Sequence, residues 1–458
     1  MQEIYFENYG CVANQNSTEI MKGLVKQSGL NITENSDYAD LIIINSCVVK
    51  ESTISKIRRR IQELLKKNKK NFQNKNSLGF STSSRKNCRL KSVENKKIIL
   101  AGCMPRIFQK YFKDKKIYLL DTSHIKDLLN LIKDIENNNY DEKKYLSLRN
   151  EVKLNLPKIS ESKIIRITQI SEGCLGECSY CLTRFAKGKL FSYPEKEIIE
   201  SIKKDLSSGA KEIWITSQDN ASYGNETGNY FLPELLKKIL ELKGNFKVRL
   251  GMMNPNNVLK ILDDIIEIYQ NPKMFKFIHI PVQTGSDKIL KLMNRMYNAK
   301  DFLKIVKKFR EKIPEITIST DIISGFPEET EKDFQETIGL IQKIKPEILN
   351  RSNFSSHKQT SASKLKNKIP EKIITQRATE LMKIHLEICD EIQKNYLGKE
   401  LKVFVDERGF GNTFLARTEN YKLVAVQSSE NILGKFVKVK IKKLFPHYLI
   451  GEIVKNEI

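Results

Sequence analysis

The residues Gly173-Cys174-Leu175-Gly176-Glu177-Cys178-Ser179-Tyr180-Cys181 come straight after an apolar run, Ile164 to Ile170. The run reads as a strand, and the Cys-x3-Cys-x2-Cys that follows supplies three thiolates to a site wanting four. Such ligands suit iron-sulfur clusters or zinc, and three on one short loop can hold three corners of a 4Fe-4S cube. The fourth iron is then free for a substrate or cofactor. A zinc knuckle lacking its last ligand is the alternative, although structural zinc normally fills four positions. His357 and His385 lie far away in sequence.

Working outward, the strand before the loop opens a series of β/α units running from Lys163 to about Asn353. Further strands are expected at Glu212 to Thr216, Lys247 to Met252, Phe275 to Pro281, Glu315 to Ile323 and Ile348 to Phe354. Helical stretches lie between them, such as Glu195 to Leu206, Leu232 to Leu242, Val258 to Tyr269 and Glu331 to Ile344. Six such units predict an incomplete barrel with its chemistry at the carboxyl ends of the strands. The three-cysteine loop stands at such an end.

Residues 2 to 136 also alternate apolar and helical patterns. Strands are expected at Glu3 to Tyr9, Leu41 to Asn45, Ile98 to Ala101 and Ile117 to Leu120, and helices at Ser17 to Gln27, Glu51 to Lys66 and Ile125 to Ile135. The alternation predicts an open parallel sheet with covered faces. Cys11, Cys47 and Cys103 each follow the carboxyl end of one of those strands. Ligand sites in open α/β sheets lie along that edge, so the three can converge there into a second thiolate site. Lone cysteines also serve as small buried hydrophobes, but equivalent placement at three strand ends favours ligation. Residues 67–96, rich in Lys, Asn and Ser, read as a mobile surface insertion holding Cys88, which is not taken as a ligand. Residues 137–162 read as a polar linker.

Beyond a helical segment from Pro370 to about Tyr396, short β-rich runs appear at Leu401 to Asp406, Thr413 to Thr418, Leu423 to Gln427, Phe436 to Ile441 and Tyr448 to Val454. Five strands in so short a span predict a small β-barrel, an architecture often used to bind RNA. Lys435, Lys438, Lys440, Lys442 and Lys443 give it a basic edge. The domain plan is therefore 1–140, 163–392 and 397–457, an α/β chain ending in a β-barrel.

The chain has 458 residues and a formal charge of +24, which favours a polyanionic partner, most commonly nucleic acid. Lysine and asparagine are abundant throughout, so part of the excess is compositional. No stretch reaches the apolar length of a membrane span, and Met1 to Asn8 lacks a signal layout. Eight cysteines in so long a chain do not make a disulfide scaffold. A monomer in the reducing cytoplasm is the expectation.

Together these segments resemble the radical SAM methylthiotransferases. The matching residues are Tyr9-Gly10-Cys11-Val12-Ala13-Asn14, Asn45-Ser46-Cys47, Gly102-Cys103-Met104, the Cys174 loop, His279-Ile280-Pro281-Val282-Gln283-Thr284-Gly285-Ser286 and Gly325-Phe326-Pro327-Glu328-Glu329-Thr330. Thr216-Ser217-Gln218-Asp219 with Tyr223-Gly224, and Arg249 to Pro255, look most like the archaeal and eukaryotic branch acting on tRNA threonylcarbamoyladenosine. The C-terminal barrel resembles a TRAM domain. The resemblance implies methylthiolation at C2 of the modified adenosine at tRNA position 37. It also implies two 4Fe-4S clusters, on Cys174, Cys178 and Cys181 and on Cys11, Cys47 and Cys103, with S-adenosylmethionine at the open iron of the first and sulfur at the second. An electron donor and a tRNA anticodon loop are the implied partners. C2 carries an unactivated hydrogen that no side-chain acid or base can exchange for sulfur, so the cofactors carry the chemistry and no acid–base residue is assigned.

Tyr180 matches the family's aromatic position near the S-adenosylmethionine adenine, and Gly325, Gln283, Arg249 and Arg295 are further cofactor candidates. The chain departs from the family at His357 to Ala362, where Arg-x-Gly-Thr is common, and at Lys187, where arginine is usual. Rival readings are methylthiolation of isopentenyladenosine in tRNA or of a ribosomal protein aspartate, and a zinc-stapled RNA-binding protein without enzymatic activity.

Overall fold

The computed structural model describes residues 3–77, 96–113 and 115–454, with 68–77 as helix backbone only; Cys88 and most of the expected insertion lie outside them. Two compact units emerge: Met1–Glu161 together with Leu182–Gly188, and Ser162–Cys181 together with Lys189–Ile458.

In the first unit, β1 (Glu3–Asn8), β2 (Asn31–Ile32), β3 (Leu41–Ser46), β4 (Lys97–Gly102) and β5 (Tyr118–Asp121) form one parallel sheet in the order β2-β1-β3-β4-β5. Central β3 is buried at every position, as a strand covered on both faces must be. Its alternation divides two cores. Ile42 and Ile44 face Ile54, Ile57, Ile61 and Leu64 of the helix Glu51–Ser77. Leu41 and Ile43 face Ile20, Met21 and Val25 of Val12–Gln27 and Leu128, Leu131 and Ile132 of Leu128–Glu136. Against the expected boundary, helix continues through 67–77. Nor do residues 137–162 run free. Tyr145, Lys153 and Leu154 are buried, and Ile159 N–H donates to Glu19 O at 3.0 Å, so the stretch up to Glu161 belongs to this unit.

The second unit begins with β6 (Ile165–Gln169); the short β7 (Ser171–Glu172) pairs with β8 (Phe191–Ser192) around the cysteine loop. With β9 (Glu212–Thr216), β10 (Lys247–Leu250), β11 (Phe277–His279), β12 (Thr317–Ser324) and β13 (Ile348–Asn353), the parallel strands form two three-stranded sheets, β6-β9-β10 and β11-β12-β13. A single bridge between Val248 and Met274 adjoins the two halves, giving the partial barrel of six strands. Capping boxes at Asn298 and Thr330 start the helices Ala299–Lys312 and Glu331–Ile344.

The chain ends in a closed barrel, β14 (Glu400–Arg408), β15 (Thr413–Arg417), β16 (Leu423–Gln427), β17 (Phe436–Phe445) and β18 (Tyr448–Ile453), in the order β14-β15-β16-β18-β17. Along β17, Val437, Val439 and Ile441 fill the interior, which turns Lys438, Lys440 and Lys442 outward. Two of these lysines are already paired, Lys438 with Glu400 and Lys442 with Glu452. The loop after β15 seats the small barrel on the larger one: Tyr421 stacks edge-on to Phe275 at 4.7 Å, and Asn420 O accepts from Thr317 Oγ1 at 2.6 Å.

Candidate metal centres

At the carboxyl edge of the first sheet, Cys11 caps the helix Val12–Gln27, Cys47 follows β3 and Cys103 follows β4. Paired amides fix that edge. Asn14 Nδ2 donates to Ser46 O at 2.7 Å and Asn45 Nδ2 to Asn14 O at 2.7 Å, while Ser46 O also accepts from Cys103 N–H at 3.0 Å. Gly102 has φ of +92°, and a Cβ there would stand 2.4 Å from Asn45 Oδ1, so the turn that delivers Cys103 requires glycine. Cys103 and Cys47 are buried, and burial raises both thiol pKa values; at Cys47 a charge on Cys11 raises it further. Metal binding would have to displace the protons of the two buried thiols.

In the second unit, Cys174, Cys178 and Cys181 lie on the loop after β7. The loop is tied to the segment that follows β9 and to the end of the helix Asp287–Leu292. Gly173 N–H donates to Gln218 Oε1 at 2.8 Å, Ser179 N–H to Met293 O at 3.0 Å, Ser179 Oγ to Leu292 O at 2.8 Å and Asn294 Nδ2 to Glu177 O at 2.9 Å. Two sulfurs receive N–H donors: Cys174 from Gly176 at 3.2 Å and Cys178 from Arg295 Nη1 at 3.1 Å. Arg295 is fixed in turn by Asn254 Oδ1 at 2.9 Å and the Tyr297 hydroxyl at 2.9 Å. Burial, then the nearby Asp219 charge, pushes the Cys174 thiol up to about 12.

Both donor sets fit an iron-sulfur group: three soft ligands each, following strand ends, with N–H groups donating to Cys47 in one set and to Cys174 and Cys178 in the other. Among the described residues, no three His, Cys, Asp or Glu side chains converge to hold a single metal ion. The ligands of a cube sit on different irons and need no such convergence.

The other candidates divide. Tyr180 meets Phe326 edge-on at 6.5 Å, which joins it to the turn at Gly325. That glycine has φ of +76°, and a Cβ would lie 2.3 Å from Ile374 Cγ1. Gln283, also at positive φ, bonds β12 through Asp321 O, and the adjacent Val282 O accepts from the Tyr297 hydroxyl that holds Arg295. Arg249 is placed elsewhere. Its guanidinium lies 4.9 Å from the Trp214 ring, 5.1 Å from Phe277 and 5.2 Å from Tyr421, a packing position beside the small barrel and not among the cysteines. The three rings come from β9, β11 and the loop after β15, so the cage is assembled from segments far apart in the chain.

The departing segment His357 to Ala362 touches the loop directly, because Ala362 N–H donates to Ser179 O at 2.9 Å. Asp219 went unassigned in the sequence. It is buried, receives Asn257 Nδ2 at 2.6 Å and Asn254 N–H at 2.9 Å, and burial raises its carboxyl to about 6. Its signal was available in Gln218-Asp219 after β9, where one residue anchors the loop and the next faces it.

A partial β/α barrel carrying a three-thiol loop at its first strand defines a radical SAM protein, and the Radical SAM superfamily matches residues 168–341. Uncharacterized protein family UPF0004 matches residues 3–120 and the TRAM domain residues 394–454. The chain is 36% identical over 459 residues to the probable threonylcarbamoyladenosine tRNA methylthiotransferase of Pyrococcus horikoshii, covering 99% of this chain and 100% of that one. It is 33% identical to the Homo sapiens threonylcarbamoyladenosine tRNA methylthiotransferase, covering 100% of this chain and 75% of the human one. The chain belongs to the threonylcarbamoyladenosine tRNA methylthiotransferase family. Among solved structures, the radical S-adenosylmethionine methyltransferase TsrM from Kitasatospora setae matches with a TM-score of 0.53 at 12% identity over 79% of this chain and 75% of that one, a likeness of fold alone.

Proposed function

We propose that this chain transfers a methylthio group to C2 of N6-threonylcarbamoyladenosine at position 37 of tRNA. The observation that carries the reading is the presence of two separate cysteine triads, each at the carboxyl edge of a parallel sheet, in a chain of this family. When bound, 4Fe-4S clusters on the two triads, with S-adenosylmethionine, would supply the radical and the sulfur that side chains cannot. Cys174, Cys178 and Cys181 would hold the first cluster, to which S-adenosylmethionine would bind, and Cys11, Cys47 and Cys103 would hold the second. Arg295 orients the Cys178 sulfur, Tyr180 and the Gly325 turn line the cofactor's side of the barrel, and Gln283 shapes the strand end between them. Outward lysines of β17 meet RNA phosphates. An external reductant supplies the electron, and the chain works as a monomer in the cytoplasm. Among the described residues, no helix is long and apolar enough to cross a membrane.

Arg295→Met removes the N–H donor to Cys178 and the donor to Asn254 Oδ1. Loss of such an outer partner costs about 10- to 100-fold. We expect that fall in S-adenosylmethionine cleavage under dithionite, read as 5′-deoxyadenosine released. The functional reading itself is tested by mass spectrometry of tRNA nucleosides from a deletion strain. Loss of methylthiolated threonylcarbamoyladenosine supports it; loss of methylthiolated isopentenyladenosine instead, or no change in tRNA, would transfer the assignment to another substrate. A colourless protein after anaerobic reconstitution, holding zinc and no acid-labile sulfide, would end the enzymatic reading.

A further inference from the structure

Two helical segments lead away from the strand ends that carry Cys47 and Cys103. The helix Glu51–Ser77 begins shortly after Cys47, and Met104–Ile107 follows Cys103 directly and runs on into Gln109–Phe112. Their outer surface is basic. The first carries Lys56-Ile57-Arg58-Arg59-Arg60, three consecutive arginines in a chain whose positive charge is mostly lysine, and the second is surrounded by Lys110, Lys113, Lys115 and Lys116. Aromatic rings tie these charges together. The Arg58 guanidinium lies 4.7 Å from the Phe108 ring and 5.0 Å from Tyr111, and Lys115 Nζ lies 3.2 Å from the Tyr111 centroid. Lys56 Nζ stands 5.5 Å over Tyr9, which precedes Gly10 and Cys11, so the surface runs from the Cys11 turn across the long helix to Tyr111. Contacts of this kind hold a cation in place without neutralising it.

Carboxylates neutralise little of this face. Glu7 and Glu63 lie 2.7 and 3.8 Å from Arg60, and Glu51 lies 3.7 Å from Arg58. Among the described residues, Lys56, Arg59, Lys110, Lys113, Lys115 and Lys116 have no ion pair, and all of them but Lys115 are exposed. Tyr111 is itself 38% exposed. Pre-ordered, unneutralised cations interleaved with rings are the footprint of a site for a nucleic-acid backbone.

We propose that this face of the first unit, made by Lys56, Arg59 and the lysines around Gln109–Phe112, binds tRNA phosphates beside the Cys11, Cys47 and Cys103 edge. It is a contact additional to the outward lysines of β17, and it rests on the tRNA reading above. A cation that meets a phosphate releases a counterion, so such contacts are counted by the salt dependence of binding.

The test uses the reconstituted full chain and tRNA from the deletion strain, with affinity followed by fluorescence anisotropy over a series of salt concentrations. One variant combines Lys110→Gln, Lys113→Gln and Lys116→Gln. A control combines Lys237→Gln, Lys260→Gln and Lys300→Gln, three exposed lysines of the second unit. The first variant is expected to bind at least about tenfold more weakly and to lose about 2 to 3 from the slope of log affinity against log salt. The control, which removes the same charge elsewhere, is expected to stay within about twofold because salt screens distant charges. Arg59→Gln alone is expected to lower the slope by about 1, and it decides the matter should the triple variant fail to fold or to hold iron. Failure of the parent chain to bind tRNA overturns the tRNA reading and this inference together. Binding by the parent with no change in affinity or slope in the triple variant and in Arg59→Gln, or equal weakening in the control, overturns the inference alone. If the triple variant binds tRNA normally but slows cluster reduction by an acidic protein reductant, the face belongs to that partner and the inference is overturned.

Discussion

Cys103→Ala is expected to leave reductive cleavage of S-adenosylmethionine measurable while abolishing methylthio transfer. The two triads have separate supports. Cys103 is held by Ser46 O and by the Gly102 turn, whereas the Cys174 loop is held by Gln218, Met293, Leu292, Asn294, Arg295 and Ala362. Alanine keeps the Cβ and the backbone donor to Ser46 O and removes only the sulfur. The void is small, so the sheet edge should persist at a cost of about 1 kcal/mol. Chromatography of released 5′-deoxyadenosine, run beside nucleoside mass spectrometry of the tRNA, checks both halves. Equal loss of cleavage and transfer would show that the triads do not act separately.

Arg377→Met should cost about 3–5 kcal/mol of stability, the usual penalty for leaving a buried partner charge uncompensated. Arg377 Nη1 donates to Glu329 Oε2 at 2.7 Å, and both residues are buried. Glu329 Oε2 also accepts from Gly325 N–H at 2.9 Å, which ties the ion pair to the turn beneath Tyr180. Burial raises the Glu329 carboxyl pKa, opposed by the Gly325 N–H and then by Arg377. Removing Arg377 raises it further. A carboxyl that holds its proton more tightly folded than unfolded favours folding as pH falls, so the variant should regain stability between neutral pH and the ordinary carboxylate range. Denaturant melts at a series of pH values measure this. A loss under about 1 kcal/mol with no such trend would mean that the turn does not depend on the pair.

Much of this architecture is legible in the chain because alternation and spacing are local. Leu41-Ile42-Ile43-Ile44, short and β-branched, reads as a strand covered on both sides, and the parallel rule then puts Cys47 and Cys103 on one edge. The β-rich end was readable for the same reason, since Val437, Val439 and Ile441 alternate with lysines. What escaped depends on contacts made across long sequence separations. Arg249 looked like a strand-end cation, but Tyr421, far along the chain, completes the aromatic cage that claims it. Lys153 sat in a stretch whose polarity resembled a linker, yet it is buried and its ammonium donates to the Thr122 hydroxyl, 31 residues earlier in the chain. Asp219 was visible as a motif but silent about role until Asn254 and Asn257 closed around it.

The segment Leu182–Gly188 leaves the second unit one residue after Cys181, adds Leu182 and Ala186 to the first unit's core, and returns at Lys189. The first unit is therefore a discontinuous piece of chain. A fragment ending at Glu161 would lack the apolar cover over Met104 and Ile107 and would expose it to water. During synthesis the N-terminal sheet must wait for the cysteine loop to emerge before its own interior is complete.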